Sequence, residues 1–293
     1  MSSQTLRPFD TDDNAPFGQI TISALRFDEM EKRSLEKRSE NDGPIIFALD
    51  TSSKLTSITL ARGMQIVASL GVELDGKRSV RLWAEVEYLL REAGISIKDV
   101  ELFSVCIGPG GFTGLRVGIA AVKGFATAAA RPIMGVTSLE AAAFAAGPAP
   151  SVCAMVGAYK GEVYWQLFSF DDACVPVAET PAFVTLPDKA IDRVLGLDGV
   201  IFAGDGVTSL SKTLGRNGGG RDCEEKEAQG WLVKHPQGLL SDQIARLSVL
   251  KLARGEEDNP SSLAACYVRP AEAEIKLSLG LLGSKIKREA GRG

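Results

Sequence analysis

The chain changes character at Gly43-Pro44. Beyond that point, short apolar runs alternate with helical patterns. Residues 45–49 (IIFAL) form a run of β-formers, as expected of a buried strand. Residues 56–63 (TSITLARG) alternate, with Ile58 and Leu60 on one side, and MQIVASLGVEL continues in the same style. Three strands joined by short polar turns predict an antiparallel meander. SVRLWAEVEYLLREAG carries Leu82, Val86, Leu89 and Ala93 at helical spacing, with Gly94 placed to cap the end. Residues 102–110 read as a buried strand entering a glycine loop. A second helix is predicted over 113–130, ended by Arg131-Pro132. PIMGVTSLEAAAFAA predicts a short strand, a Thr137/Ser138 cap with Glu140 nearby, and an alanine helix.

The pattern restarts after Gly147-Pro148-Ala149-Pro150, an interior linker candidate. SVCAMVGAYKGEVYWQLFSF predicts two strands around a Tyr-Lys-Gly turn, with Val163, Trp165 and Leu167 alternating. Residues 199–207 (GVIFAGDGV) predict a strand and a polar glycine turn. GRNGGGRDCEEKEAQG reads as a flexible surface insert, and GLLSDQIARLSVLKLARG as an amphipathic helix. Each half therefore opens with antiparallel strands and continues with strand–helix alternation. That is a duplicated α/β pattern, not one sheet wound throughout. The expected division has four parts. Residues 1–43 are an extension, poorly ordered or a solvated helix, because FDEMEKRSLEKRSEND is dense in mixed charge. Residues 44–147 form a first lobe. Residues 148–262 form a second lobe with a flexible insert near 215–230, and 263–293 are a C-terminal segment and tail.

Composition narrows the function classes. The 293 residues are 45% hydrophobic and 24% charged, as in a globular chain. A net charge of −4 argues against a broad basic face that holds nucleic acid unaided. The five cysteines are scattered without a CxxC pair, which excludes a zinc ribbon and fits a reducing cytosol. The acidic N-terminus does not resemble a signal peptide, and no run of 18 apolar residues occurs, so a cytoplasmic protein is expected. His235 is the only histidine, which rules out a histidine metal cluster and HExxH; there is no GxSxG elbow either.

Two motifs remain. In ALDTSSKLTSITL, an acid leaves a buried strand and is followed by hydroxyl residues, which suits either an anion or metal site or an ordinary polar turn. In IGPGGFTGLRVGIAAVKG, Gly108 and Gly114 come near the P-loop template but stand one residue too far apart, and Leu115 and Arg116 replace the required Lys and Ser/Thr. A strand, a glycine turn and a helix start still make an anion-friendly terminus, which Arg116 could assist. The packing alternative is that Gly110, Gly114 and Gly118, with Ala121, leave a thin helix face. Each interior glycine costs roughly 0.5–1 kcal/mol relative to alanine, so repetition suggests a close neighbour.

These segments together resemble a known family. IIFALDTSS, GPGGFTGLRVGIAAVKGFA, MGVTSLEA, KGEVYW and YVRPAEAEIKL stand in the order seen in the TsaB family of bacterial tRNA threonylcarbamoyladenosine biosynthesis subunits, once labelled glycoproteases. The similarity spans about residues 45–277 and is thin over 170–255. The resemblance implies an actin-like (ASKHA) fold of two related α/β lobes, each a mixed sheet flanked by helices. It also implies a non-catalytic subunit that dimerises and activates a TsaD-type transferase acting on tRNAs reading ANN codons. A TsaE-like ATPase is a further partner, self-association is expected without TsaD, and tRNA is contacted mainly through partners. No metal and no intrinsic cofactor are implied; ATP or ADP with magnesium would belong to a complex interface. Asp50, Thr51, Ser52, Gly204, Asp205 and Gly206 are then vestigial nucleotide contacts. The glycine loop and partner interface would comprise Gly108, Pro109, Gly110, Gly111, Phe112, Thr113, Gly114, Arg116, Gly118 and Ala121, with Leu82, Val86 and Leu89. The chain departs from the family pattern at Gly157, where an acid is common, and at Arg78, where a histidine often precedes the first long helix. An active actin-fold ATPase or phosphotransferase is the alternative.

Overall fold

The alternation in residues 45–73 becomes three adjacent antiparallel strands in the computed structural model, which describes residues 20–24, 43–73, 78–194, 196–209, 232–234 and 238–268. These strands are β2 (Ile45–Asp50), β3 (Leu55–Arg62) and β4 (Gln65–Glu73). The first half continues with α1 (Arg78–Ala93), β5 (Leu102–Gly108), α2 (Phe112–Ala129), β6 (Ile133–Thr137) and α3 (Ser138–Ala146). Gly94 adopts φ +64 at the end of α1, the left-handed turn that glycine tolerates best. Thr137 and Glu140 cap α3 reciprocally.

The second half has β7 (Ser151–Gly157), β8 (Val163–Phe170), β9 (Pro176–Ala178), β10 (Phe183–Thr185), α4 (Pro187–Val194), β11 (Val200–Ala203), β12 (Leu232–Lys234) and α5 (Leu240–Ala253). The sequence reading did not resolve β9, β10, α4 and β12. The strands, of three residues each, are too short to establish a period; α4 buries Pro187, Ala190, Ile191 and Val194 at helical spacing, a signal the reading missed.

The two sheets share one plan. Within its half, the first runs β4-β3-β2-β5-β6 and the second β10-β8-β7-β11-β12. In each, the opening three strands are antiparallel and the last two run parallel to the first of them. This is the duplication expected from the pattern of the two halves.

Helices cover both faces of the first sheet. On its outer face, Leu82, Val86, Leu89, Ile119 and Val122 of α1 and α2 close over Phe47, Leu49, Ile58, Leu60 and Leu70. On the inner face, Ile244, Ala245 and Leu247 of α5 meet Ile46, Ala48, Leu102 and Met134. Meanwhile Leu139, Ala142, Ala143 and Ala146 of α3 pack on Val152, Ala154 and Ile201 of the second sheet. Its opposite face receives Ala190, Ile191 and Val194 of α4. Thus α3 leaves the first half to cover the second sheet. Helix α5, placed in the second lobe from sequence, instead covers the first. Lys251 and Glu140 join these two helices at 2.9 Å, and the Thr59 hydroxyl donates to Asp242 at 2.6 Å.

The chain then returns to the first lobe. The Asp258 amide donates to Ile133 O at 2.9 Å, and the Cys266 amide to Ile107 O at 2.7 Å. Leu263 is buried in the first lobe's core.

The extension also differs from its reading as a tail or helix, because β1 (Ile20–Ala24) pairs with the edge of β4. ITISA alternates β-branched apolar and hydroxyl residues, a strand pattern within a charged segment. The charged stretch 27–42, the insert near 215–230, Cys223, His235 and the tail after 268 lie outside the described residues.

Candidate functional site

Asp50 ends β2 and is 2% exposed. Because β2 and β5 are parallel neighbours, Cys106 lies beside it. The Ser52 amide donates to Asp50 Oδ1 at 2.8 Å, forming a local turn. Burial pushes the Asp50 carboxyl above its ordinary range. Hydrogen bonds from Ser52 and Cys106 oppose that rise, and the charge of Asp205 adds to it. The Cys106 thiol is pushed well up, by burial first and by Asp50 second. Its side chain is fully buried in the core on the inner face of the first sheet.

The glycine loop seals this turn from the other side. The Gly111 amide donates to Ser52 O at 2.6 Å, and the Thr51 hydroxyl donates to Gly114 O at 2.8 Å. The Ser138 hydroxyl donates to Pro109 O at 2.6 Å. A Cβ on Gly110 would stand 2.5 Å from Ser52 O, and one on Gly118 would overlap Thr51 Oγ1. Gly108 holds φ +99, with a Cβ position 2.9 Å from Leu115 Cδ1.

These contacts correct the interface reading. Gly110, Gly114 and Gly118 form a thin face as expected, but the 51–52 turn of the same lobe fills it. Leu82, Val86 and Leu89 are buried against the first sheet, and Ala121 packs partly on the same core, so none of the four forms an open partner face. Helical spacing identifies an apolar face; it does not say which surface consumes it. Phe112, Thr113 and Arg116 are exposed, as are Gly111 and Tyr267. The Arg116 guanidinium lies 3.8 Å from the centre of the Phe112 ring, and its Nε donates to the Tyr267 hydroxyl at 3.1 Å. Arg116 is therefore held in place by two aromatic rings.

The open face of α1 and α2 is carried by other residues. Trp83 is 59% exposed and meets Phe125 edge-on at 5.1 Å between centroids. Ala120, Gly124 and Thr127 are exposed on α2, and a Cβ on Gly124 would meet nothing within 4 Å. The sequence signal was present: Ala120, Gly124 and Thr127 repeat at helical spacing, one face away from Gly114 and Gly118.

The second lobe presents Gly204-Asp205-Gly206 at the end of β11. Asp205 Oδ1 accepts the Gly157 amide at 3.0 Å. Asp205 sits at the solvent-exposed rim, yet the protein crowded around it raises its carboxyl; the Gly157 and Gly206 amides oppose that. A Cβ at Gly204 would overlap Met155 O, and at Gly206 it would stand 2.9 Å from Met155 C, so both glycines serve close approach to β7. A Cβ at Gly157 would stand 4.0 Å from Asp205 Oδ2 with no nearer neighbour. An acid there would face Asp205. The charge of Asp205 in the second lobe's turn is felt at Asp50 in the first's, as the least of the influences on that carboxyl. Among the described residues, no group of three His, Cys, Asp or Glu side chains could hold a metal ion. No described helix is long and apolar enough to cross a membrane.

Comparison with known proteins gives this geometry a family. The sequence model described as "TsaD: tRNA N6-adenosine threonylcarbamoyltransferase" matches residues 76–197. The tRNA threonylcarbamoyladenosine biosynthesis protein TsaB of Escherichia coli K12 is 30% identical over 157 residues, covering 53% of this chain and 68% of that protein. The protein of the same name from Bacillus subtilis 168 is 29% identical over 239 residues, covering 79% and 96%. A solved Pseudomonas aeruginosa structure, described as an uncharacterized protein with similarity to peptidase YeaZ, superposes with a TM-score of 0.61 at 24% identity. It covers 77% of this chain and 100% of that one. The fold is the expected pair of related lobes, each a mixed sheet flanked by helices. With its matched TsaB relatives, its two-lobed sheet plan and its glycine loop closed on the 50–52 turn, the chain belongs to the TsaB family.

Proposed function

We propose that this chain is a non-catalytic subunit of the machinery that makes N6-threonylcarbamoyladenosine in tRNA. It dimerises with and activates a TsaD-type transferase on tRNAs reading ANN codons. A TsaE-type ATPase is the third component, and tRNA is held mainly by the partners. The names of the relatives support the pathway.

The non-catalytic part is supported by one observation: several donors at the two turns are already used within the chain. The Ser52 amide serves Asp50, the Gly111 amide serves Ser52 O, and the Thr51 hydroxyl serves Gly114 O. The Gly157 amide serves Asp205, and Asp50 is buried with a raised carboxyl. A magnesium–nucleotide needs free donors for phosphate and ionised acids from both lobes. These residues do not fit that group, so ATP or ADP belongs at a complex interface in this reading.

Pairing is assigned to the open face of α1 and α2, around Trp83, Ala120 and Gly124. Gly124→Leu adds bulk where the chain itself has no neighbour. It should weaken both self-association and capture of a TsaD-type partner in a pull-down. Unchanged binding in both would remove this face. For the pathway, depletion should lower threonylcarbamoyladenosine in hydrolysed tRNA measured by mass spectrometry; normal levels would end the assignment.

The facing acids favour one rival, an active actin-fold ATPase or phosphotransferase. Purified protein with magnesium and ATP, free of partners, distinguishes the two. Turnover abolished by Asp50→Ala would establish the rival.

A further inference from the structure

We propose that the outer edge of β4 is a strand-docking edge, which this chain fills with its own residues 20–24. The duplicated plan does not call for β1. In the second sheet, β10 occupies the position equivalent to β4, and the strand order begins there among the described residues. Both sheets have six strands, but the sixth of the second, β9, shares the edge of β8 with β10, whereas the sixth of the first, β1, lies beyond the equivalent edge.

The register is the second argument. Ile20, Ile22 and Ala24 stand opposite Val72, Leu70 and Ala68, the β4 residues that belong to the outer core beneath α1. Thr21 and Ser23 stand opposite Gly71 and Ser69. Directly opposed residues of an antiparallel pair share a face. The apolar positions of β1 therefore match the apolar face of β4 throughout, and a slip of one residue would reverse every match. A chance contact by a tail has no reason to satisfy that pattern.

An uncovered nine-residue strand such as β4 is a template for another chain. The partner it fits is an extended segment with an apolar residue at every second position, held by main-chain hydrogen bonds. Residues 20–24 are that segment in cis. While they are docked, the edge is closed to a second copy and to any other strand.

The test uses the full chain. Ser23→Cys with Ser69→Cys should form a disulfide within one chain on mild oxidation, whereas Ser23→Cys with Glu73→Cys should not. Mapping of the linked peptides after separation of monomer from dimer identifies the bond. In parallel, Ile22→Pro and Ser23→Pro are compared, since adjacent amides of a strand point to opposite edges: one of the two should remove a ladder group and speed exchange of alternate β4 amides by about 10-fold or more, read by hydrogen exchange with mass spectrometry. Unchanged β4 exchange in both overturns the docking edge, independently of how the cysteine variants fold. A 23–69 linkage found only between two chains overturns the cis occupant.

Discussion

Asp50 shows how one residue's surroundings set a sign. Its folded carboxyl lies above the ordinary value of about 3.9 because burial outweighs the donors around it. A raised folded value means the native state holds the proton more tightly than the unfolded chain. The group therefore favours folding at low pH. That contribution fades as pH rises from the unfolded value through the folded one, and above it the ionised carboxylate is a net burden. Asp50→Asn keeps the acceptor used by the Ser52 amide. Its melting temperature should exceed that of the parent near neutral pH, and the two should converge below about pH 4. A variant less stable at neutral pH would show that the carboxylate is satisfied by something else. Two glycines of one helix make a second residue-scale contrast. Gly118→Ala drives a methyl into Thr51 and should cost about 1–3 kcal/mol in urea unfolding. Gly124→Ala meets nothing and should gain about 0.5–1 kcal/mol. The sequence reading placed Gly118 on the thin helix face and did not single out Gly124.

At the scale of elements, the legible parts are those with a long period. The 45–73 meander, both long helices of the first lobe, the two strands around Tyr159-Lys160-Gly161 and the last helix follow from alternation or helical spacing. The three-residue strands do not, because two alternations cannot be told from chance. The site was legible in part. Asp50 ends a strand of one sheet and Asp205 follows a strand of the other, so each turn could be read from its own strand, but not their relation to each other. Cys106 was missed, although it sits two residues before Gly108 on the strand beside β2. Helix α5 was assigned to the wrong sheet because sequence neighbours usually pack together, and here they do not. Its apolar face, with Ile244, Ala245 and Leu247 buried, supports the first sheet. Leu247→Ala should therefore cost about 2–5 kcal/mol. The loss should appear in the exchange protection of β2 and β5, which precede it by more than a hundred residues. Loss confined to the second sheet would contradict the packing described here.

For the whole molecule, the exchange of α3 and α5 makes the two lobes one cooperative unit. Each sheet lacks a cover on one face until the other half supplies it, and Glu140–Lys251 ties the two covers together. Far-ultraviolet and near-ultraviolet melting curves should coincide in a single transition. The fragment 44–147 alone should lack dispersed amide resonances, because the inner face around Ile46, Ala48 and Leu102 would stand bare. A well-dispersed fragment spectrum would show that the first lobe is autonomous.

The return of the chain to Ile107 through Cys266 has a consequence for how the protein is made. A ribosome elongates at about 5–20 residues per second. Residue 137 completes the strands of the first sheet, yet its inner cover starts at Leu240 and its clasp on the glycine loop closes at Cys266. The nascent first lobe thus waits for about 5–25 seconds with one apolar face open. Chains stalled near residue 200 should recruit a holdase chaperone, and chains stalled well past residue 268, beyond the exit tunnel, should release it.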